Sequence, residues 1–263
     1  MVSTRTFLFV ALAAVVSAAP PCPPPDPPNS TVNYTLPSIG GGAPDLVPPA
    51  DNLVVKKIAV GHGIQNYSCG STTGDSIAAG AVAVLYDVTS FYPGTKRTGI
   101  RKHLWDSLPS RALWEQPLPL NKLAGSQFGA DPVAPFPRNP AADLRLRLRG
   151  LPAAARFLGH HYFDIEGVPT FDLSAAAAGG GGGGLRAAVA KVDSKSAPAT
   201  ADKGVLGTGA VPWLRLDDDG RGGSRGVASV FRVVTAGGNP QSCSVAGEGV
   251  QSIPYTAFYW FYG

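Results

Sequence analysis

Most of the chain consists of short runs rich in β-branched and aromatic residues, separated by turns that contain Gly, Pro, Asn and Asp. Runs of this length and composition are typical of β-strands. They predict strands at residues 53–60, 64–69, 81–87, 158–165, 170–173, 185–192, 211–216, 227–235 and 252–262. The last run is apolar or aromatic on both faces, which is typical of a strand with neighbours on both sides. The pattern therefore predicts an all-β domain, a single antiparallel β-sandwich or β-barrel.

Two segments interrupt the strand pattern. Residues 91–157 form a long Pro-rich insertion, with six prolines between Pro117 and Pro140, and we expect a surface excursion there. Within it, residues 100–108 predict a short helix that ends near Pro109. Residues 175–184 contain only alanine and glycine, and they predict a low-complexity loop.

The beginning of the chain predicts export. Residues 1–18 combine Arg5, an apolar run and a small-x-small sequence, which is typical of a secretory signal peptide. Residues 19–50 are Pro-rich and predict a disordered stalk, so the all-β domain is expected to occupy residues 51–263. No uninterrupted apolar run reaches the length of about 18 residues that a membrane-spanning helix needs. We therefore expect a secreted protein, located in the extracellular space or the cell wall.

Covalent modifications follow from that location. Three cysteines allow at most one disulfide within the chain, and we predict Cys69–Cys243 because Cys22 lies in the Pro-rich segment. Sequons begin at Asn29, Asn33 and Asn66, and an exported chain passes through the compartment where they are glycosylated.

The net charge of +4 is too small and too dispersed to predict nucleic-acid binding. The segment from residue 143 to 149 nevertheless alternates leucine with Arg145, Arg147 and Arg149. On a strand these arginines would share one face, which suits contact with an acidic polysaccharide or phosphate. An edge strand that uses charge to discourage aggregation accounts for the same pattern.

The densest polar cluster is GHHYFDIE at residues 159–166. If the strand continued through it, His160, Asp164 and Glu166 would share one face and His161 the other. Together with Asp172, these residues are candidates for acid–base or glycosidase chemistry, and His161, Asp164, Glu166 and Asp172 are our candidate catalytic residues. A strand with one solvated face and His161 hydrogen-bonded in the core explains the pattern better than a functional site does.

Three further segments match known functional motifs but lack the surrounding sequence that each motif requires. The glycine tract at residues 179–184 matches a dinucleotide fingerprint without the βαβ unit that such a site needs. Residues 222–226 read GGSRG, but no histidine follows His161, as a nucleophile elbow would require. Residues 217–220 read DDDG and lack the spacing of a calcium loop. We therefore predict no cofactor and no metal site.

Six segments carry a resemblance to a known family: GIQNYSC (63–69), GAVAVLYD (80–87), GHHYF with PTFDL (159–173), VPWLRL (211–216), VFRVVTAGG (230–238) and PYTAFYWFY (254–262). The chain resembles secreted fungal proteins, with bacterial relatives, that share a domain of unknown function. The resemblance implies that His161 is the matching histidine, and it supports the pairing of Cys69 with Cys243. Members are often labelled malate dehydrogenase, but this chain has no dinucleotide site in its proper context.

Together these observations favour a secreted glycoprotein that acts as a cell-wall or extracellular binding or structural module. Its expected partner is a cell-wall polysaccharide or another extracellular ligand. The alternative is an extracellular hydrolase acting on polysaccharide, with His161 and the three acidic candidates as its site. The sequence favours a role without catalysis, and it argues against an NAD-dependent dehydrogenase.

Overall fold

Antiparallel strands build nearly all of the regular structure in a computed structural model that describes residues 32–138, 145–174 and 184–263. The strands are β1 (Val55–Cys69), β2 (Ile77–Asp87), β3 (Arg145–Leu146), β4 (Ala155–Phe163), β5 (Pro169–Asp172), β6 (Arg186–Lys195), β7 (Trp213–Asp218), β8 (Ser229–Gly237) and β9 (Gly249–Tyr262). The helices among the described residues are α1 (Lys102–Asp106), α2 (Leu108–Glu115) and α3 (Cys243–Ala246), with a 3₁₀ turn at Thr89–Phe91.

Eight of these strands close into a barrel. Their order is β2-β1-β9-β8-β7-β6-β5-β4, and the pairing of β2 with β4 joins the two ends. The short β3 pairs with β4 outside the barrel, through Arg145 opposite Arg156. The predicted all-β fold is confirmed, and of the two predicted architectures the chain adopts the barrel.

Both faces of the barrel wall are buried. One apolar cluster takes residues from every barrel strand, such as Ala59, Phe171 and Tyr259, and therefore fills the interior. A second cluster joins outward-facing residues such as Trp260 to Trp105 and Leu108 of the helices. In β9 the residues from Tyr255 to Tyr262 are at most 5% exposed. The aromatic strand is therefore core on both sides, and its rings are not a binding surface.

The segment before the barrel is packed rather than free. Residues 33–263 form one compact unit, and Tyr34, Leu36 and Leu46 contact the outer cluster. The Thr35 N–H also donates to the Tyr92 hydroxyl at 3.0 Å. The prediction of a disordered stalk up to residue 50 is therefore wrong for its described part. Its apolar residues, spaced between prolines, give it enough burial to stay on the barrel.

The long insertion also covers the barrel, because α1 and α2 both lie within it. The helix predicted for residues 100–108 was expected to end near Pro109, but Pro109 instead lies in the first turn of α2. A proline is well tolerated there, since the first N–H groups of a helix have no partner within the helix. Its carbonyl accepts a hydrogen bond from the Thr256 hydroxyl at 2.6 Å, which ties α2 to β9.

The predicted disulfide between Cys69 and Cys243 is confirmed. It links the end of β1 to α3, and Gln251 lies over it, with its side-chain amide donating to Cys69 Sγ at 3.2 Å and to Ser76 Oγ at 3.1 Å. The predicted signal peptide at residues 1–18, the sequon at Asn29, and residues 175–183 of the predicted Ala/Gly loop lie outside the described residues. Among the helices that are described, none is long and apolar enough to cross a membrane.

Candidate functional site

The four candidate catalytic residues fall into separate surroundings. β4 ends at Phe163, two residues before the predicted end at residue 165 and three residues before Glu166. The turn that follows is closed by Asp164, whose Oδ1 accepts hydrogen bonds from the N–H groups of Glu166 and Val168 at 2.9 Å. Glu166 is exposed and pairs with Arg221 at 2.9 Å. The shared face predicted for these acids is therefore wrong, because Asp164 begins a turn.

His161 lies inside the barrel. Its ring stacks on Phe171 at 4.1 Å, and its Nδ1 lies 3.0 Å from the carbonyl oxygen of Thr170. A carbonyl oxygen only accepts, so Nδ1 carries the proton. Burial lowers the pKa of His161 from 6.5 to about 4, the Thr170 hydrogen bond opposes this, and the charge of Arg232 adds to it. His161 is thus a neutral core residue, separated by the barrel wall from the acidic candidates.

Three buried or half-buried histidines predict acid sensitivity. Burial lowers the pKa of His62, His160 and His161 from 6.5 to about 4. Between pH 6.5 and about 4 the unfolded chain therefore binds more protons than the folded one, so stability falls as the pH falls. For fully buried His62 the loss is on the order of 3 kcal/mol. Denaturant unfolding at pH 7 and pH 4.5 should show a smaller drop for His62→Met than for wild type.

The matched control for that measurement is His103→Gln, because His103 is exposed on α1. This variant should retain the full drop in unfolding free energy between the two pH values. Equal drops in wild type and His62→Met would contradict the assignment of acid sensitivity to this buried ring.

Asp172 faces outward and lies in a row across three strands. In the register of the sheet it is opposite His160 on β4 and Arg186 on β6. The Asp172 Oδ1 accepts hydrogen bonds from the N–H and the hydroxyl of Ser174. By contrast, His160 Nε2 and Arg186 Nε are buried and have no hydrogen-bond partner among the described residues. Two unsatisfied polar atoms thus flank one carboxylate, and each such atom in a folded protein calls for an explanation.

A cavity of about 620 Å³ opens beside this row, and we call it the outer-wall pocket. Its described lining is Tyr162, Asp172, Ser174, Arg186, Gly222, Gly223, Ser224 and Arg225. The loop between β7 and β8 forms one wall, because the backbones of Arg186 and Arg225 exchange hydrogen bonds of 3.0 and 2.7 Å. The pocket therefore combines two guanidinium groups, one carboxylate and one phenol.

Ser224, in the GGSRG segment, has a structural role in that wall. Its Oγ donates to the Ala188 carbonyl and accepts from the Ala188 N–H, both at 3.0 Å. A hydroxyl proton held by a backbone carbonyl is not directed to a general base, and the segment joins two strands rather than a strand and a helix. The motif therefore fixes the loop over β6.

The acidic turn at residues 217–220 is likewise occupied by protein groups. Asp217 accepts hydrogen bonds from Arg215 and from the Ser229 hydroxyl, and Asp219 accepts from the Arg221 N–H. Across the described ranges, no group of three or more His, Cys, Asp or Glu side chains is arranged to hold a metal ion.

The arginine run is exposed on one side. Only Arg145–Leu146 is a strand, yet the alternation continues, with Leu146 and Leu148 buried and Arg145, Arg147 and Arg149 exposed. Its contact with acidic polymers stays a prediction. The sequons also stay predictions: Asn33 is exposed, while Asn66 is half-buried and its Oδ1 accepts from the Ser252 hydroxyl at 2.8 Å.

The sequence did not point to Arg186 or Arg225. Arg186 follows the Ala/Gly tract and Arg225 lies in a glycine-rich turn, so neither belongs to a recognisable spacing. They meet because β6 pairs with β5 at Asp172 and because the β7–β8 loop folds onto β6. Of the pocket residues, only Tyr162 and Asp172 could be linked to a site from the sequence, because both lie in or near the polar cluster.

The fold and the pocket define a class: a disulfide-bonded, closed antiparallel barrel with a polar, ligand-sized pocket on its outer wall. The chain belongs to the family described as protein of unknown function (DUF3455), whose model matches residues 49–263. This confirms the resemblance to a family with a domain of unknown function. No curated protein and no solved structure matches the chain.

Proposed function

We propose that this protein is an exported carbohydrate-binding module of the cell wall or extracellular space, and that it binds an acidic sugar in the outer-wall pocket. The observation that carries the proposal is Arg186, whose Nε is buried at the edge of a cavity of about 620 Å³ and has no acceptor among the described residues. A buried N–H without a partner is costly, and a ligand oxygen would relieve that cost.

The charge of the lining favours an anionic ligand. Arg186 and Arg225 outnumber the single carboxylate, Asp172, among the described lining residues. A guanidinium binds a carboxylate through two parallel hydrogen bonds, a geometry that a uronic acid offers. The cavity volume lies in the range of about 300–1,000 Å³ that small-molecule sites occupy.

The remaining lining groups suit a sugar ring. The phenol of Tyr162 combines an apolar ring face with a hydroxyl, as sugars themselves combine C–H faces with hydroxyl groups. Asp172 accepts hydrogen bonds and is held in place by Ser174, so it is oriented before a ligand arrives. The signal-peptide pattern and the disulfide both suit an exported protein, and Cys69–Cys243 would persist in an oxidising compartment.

The same lining argues for binding rather than hydrolysis. Glycosidases use two carboxyl groups that flank the scissile bond, whereas Asp172 is the one carboxylate in the described lining. His161 is inside the barrel and Asp164 closes a turn, so neither joins Asp172 at the pocket. Incubation with isolated cell-wall polysaccharide separates the two functions: co-sedimentation without soluble products supports binding, and release of oligosaccharides supports the hydrolase alternative.

The direct test is the variant Arg186→Gln. We expect its affinity for a uronic-acid trisaccharide to fall at least about tenfold, since hydrogen bonds to charged groups contribute about 1.5–3 kcal/mol. Wild type should also prefer this trisaccharide to the same molecule with its carboxyl groups reduced to alcohols. Calorimetric titration measures both affinities.

The control is Arg101→Gln, which removes the same charge from an exposed position at the start of α1. Thermal unfolding checks that both variants remain folded. Wild type that binds the acidic and the reduced trisaccharide equally well would contradict an acidic ligand, and Arg186→Gln that binds as tightly as Arg101→Gln would contradict the assigned site.

A further inference from the structure

Trp114 is the exception among the four tryptophans of the chain. Trp105, Trp213 and Trp260 are 0–3% exposed, whereas Trp114 is 57% exposed. α2 buries Leu108, Pro109, Ala112 and Leu113 against the barrel, which leaves the indole of Trp114 on the outer side of the helix. The indole therefore presents a large apolar area to solvent.

The indole is held in one orientation. Its Nε1–H donates to Asp202 Oδ2 at 2.7 Å, and the hydroxyl of Ser110, one helical turn earlier, donates to the same oxygen. The Gly204 N–H donates to Asp202 Oδ1 at 2.9 Å. Burial alone would raise the pKa of Asp202, but these hydrogen bonds lower it, so the carboxylate stays charged and keeps its donors. The ring is therefore an ordered platform.

A cavity of about 420 Å³ adjoins the platform through Asp202, and we call it the Trp114 cavity. Its polar lining consists of Asp106, Ser110, Thr200, Asp202 and Thr235, and none of its described lining residues is a lysine or arginine. The charge of Asp106 is compensated outside the cavity by Lys102 at 2.6 Å. The cavity thus offers hydroxyls and carboxylate acceptors, and the Asp202 carboxylate is held by neutral donors rather than by a cation among the described residues.

The cavity wall also carries a strained residue. Val234 has φ +49° at the point where the register between β8 and β9 shifts, which marks a β-bulge. A β-branched residue in the left-handed region is a conformational outlier, and such outliers and bulges are enriched beside binding sites. Val234 and its neighbours Thr235 and Ala236 line the cavity, so the bulge shapes its wall.

We propose that Trp114 and the Trp114 cavity form a second binding site, which takes a neutral saccharide. One pyranose ring stacks on the indole, and the hydroxyls of the adjacent unit bind Asp202, Ser110 and Thr200. The absence of guanidinium groups from the described lining distinguishes this site from the outer-wall pocket, which has two. The inference goes beyond the proposed function, because it stands on other residues and on another class of sugar.

Tryptophan fluorescence tests this site directly. Because the other three tryptophans are buried, quenching by acrylamide reports mainly on Trp114. Neutral β-linked glucose hexasaccharides are the probes, with different linkages titrated separately. We expect at least one of them to reduce the quenching constant at least about twofold, and Trp114→Ala to lower its affinity at least about tenfold. Absence of both binding and protection across the probes would overturn the proposal.

Companion variants separate stacking from folding. Trp114→Phe keeps a ring without the N–H and should retain part of the affinity, while Asp202→Asn should weaken binding by disturbing the position of the indole. Val133→Ala, at another exposed apolar position, should bind as wild type does. If Trp114→Ala fails to fold, Trp114→Phe carries the test: binding unchanged from wild type in both Trp114→Phe and Asp202→Asn would overturn the site.

The two proposed sites can be tested independently of each other. Arg186→Gln should leave binding of the neutral probe unchanged, and Trp114→Ala should leave binding of the uronic-acid trisaccharide unchanged. Tighter binding of an amino-sugar cation than of the neutral hexasaccharide would overturn the ligand class, because it would show that the carboxylates act through their charge.

Discussion

Replacing Gly63 by alanine should destabilise the barrel by more than about 4 kcal/mol, a loss that few single substitutions reach. A Cβ atom at this position would lie 2.0 Å from the Val82 carbonyl oxygen and 2.5 Å from the Ala83 Cα. Both are backbone atoms of β2, which is held between β1 and β4, so no side-chain rotation relieves the overlap. Domains of this kind have a total stability of about 5–15 kcal/mol, and we expect mostly unfolded or insoluble protein.

Gly70→Ala is the matched control, since nothing lies within 4 Å of a Cβ atom at Gly70, just after the end of β1. Guanidinium unfolding and soluble yield compare the two variants. A Gly63→Ala protein with the same unfolding midpoint as Gly70→Ala would show that β2 moves away from β1 at little cost.

Loss of the disulfide is expected to lower the unfolding free energy by about 5 kcal/mol in the chain-entropy model. The bond closes a loop between residues 174 positions apart, and its removal frees most of the unfolded chain. The double variant Cys69→Ala, Cys243→Ala measures this effect by denaturant unfolding. It also takes the sulfur acceptor away from Gln251, although Gln251 retains Ser76 and the Gln241 carbonyl as partners.

Cys22→Ala serves as the control, because Cys22 is the cysteine that remains when Cys69 and Cys243 bond to each other. Its stability should equal that of wild type under oxidising conditions. If the double variant also unfolded at the wild-type midpoint, the bond would constrain the folded and unfolded chains equally.

The strands were largely predictable because each buries apolar residues at regular intervals, and this spacing is visible in the amino-acid sequence. The pattern of β1 misled at Gly61 and Gly63, where we predicted a break between two strands and found one strand of 15 residues. Glycine usually interrupts a strand, but here the lack of a side chain lets other groups approach the backbone. The Tyr259 ring packs against Gly61, and the backbone of β2 packs against Gly63. That contact is made by residues distant in sequence, so no local pattern contains it.

The candidate site was less predictable for a related reason. The cluster around His161 is dense in sequence, but β4 is part of the barrel wall, so successive side chains alternate between the interior and the outer face. Asp164 has a turn-forming role that the short-range pattern did not distinguish from a catalytic one. Conversely, Arg186 joins Asp172 only through strand register, and Trp114 meets Asp202 across 88 residues. Sites assembled by tertiary contacts leave little trace in local spacing.

The position of β9 has a consequence for how the protein is made. β9 lies between β1 and β8 and pairs with both along most of its length, yet it comes last in chain order among the eight described barrel strands. Until then β1 and β8 each have an open edge, and the inward-facing residues of the other seven barrel strands have no Tyr255, Tyr259 or Phe261 to pack against. The barrel can therefore close only after the last of its eight strands in chain order has been synthesised.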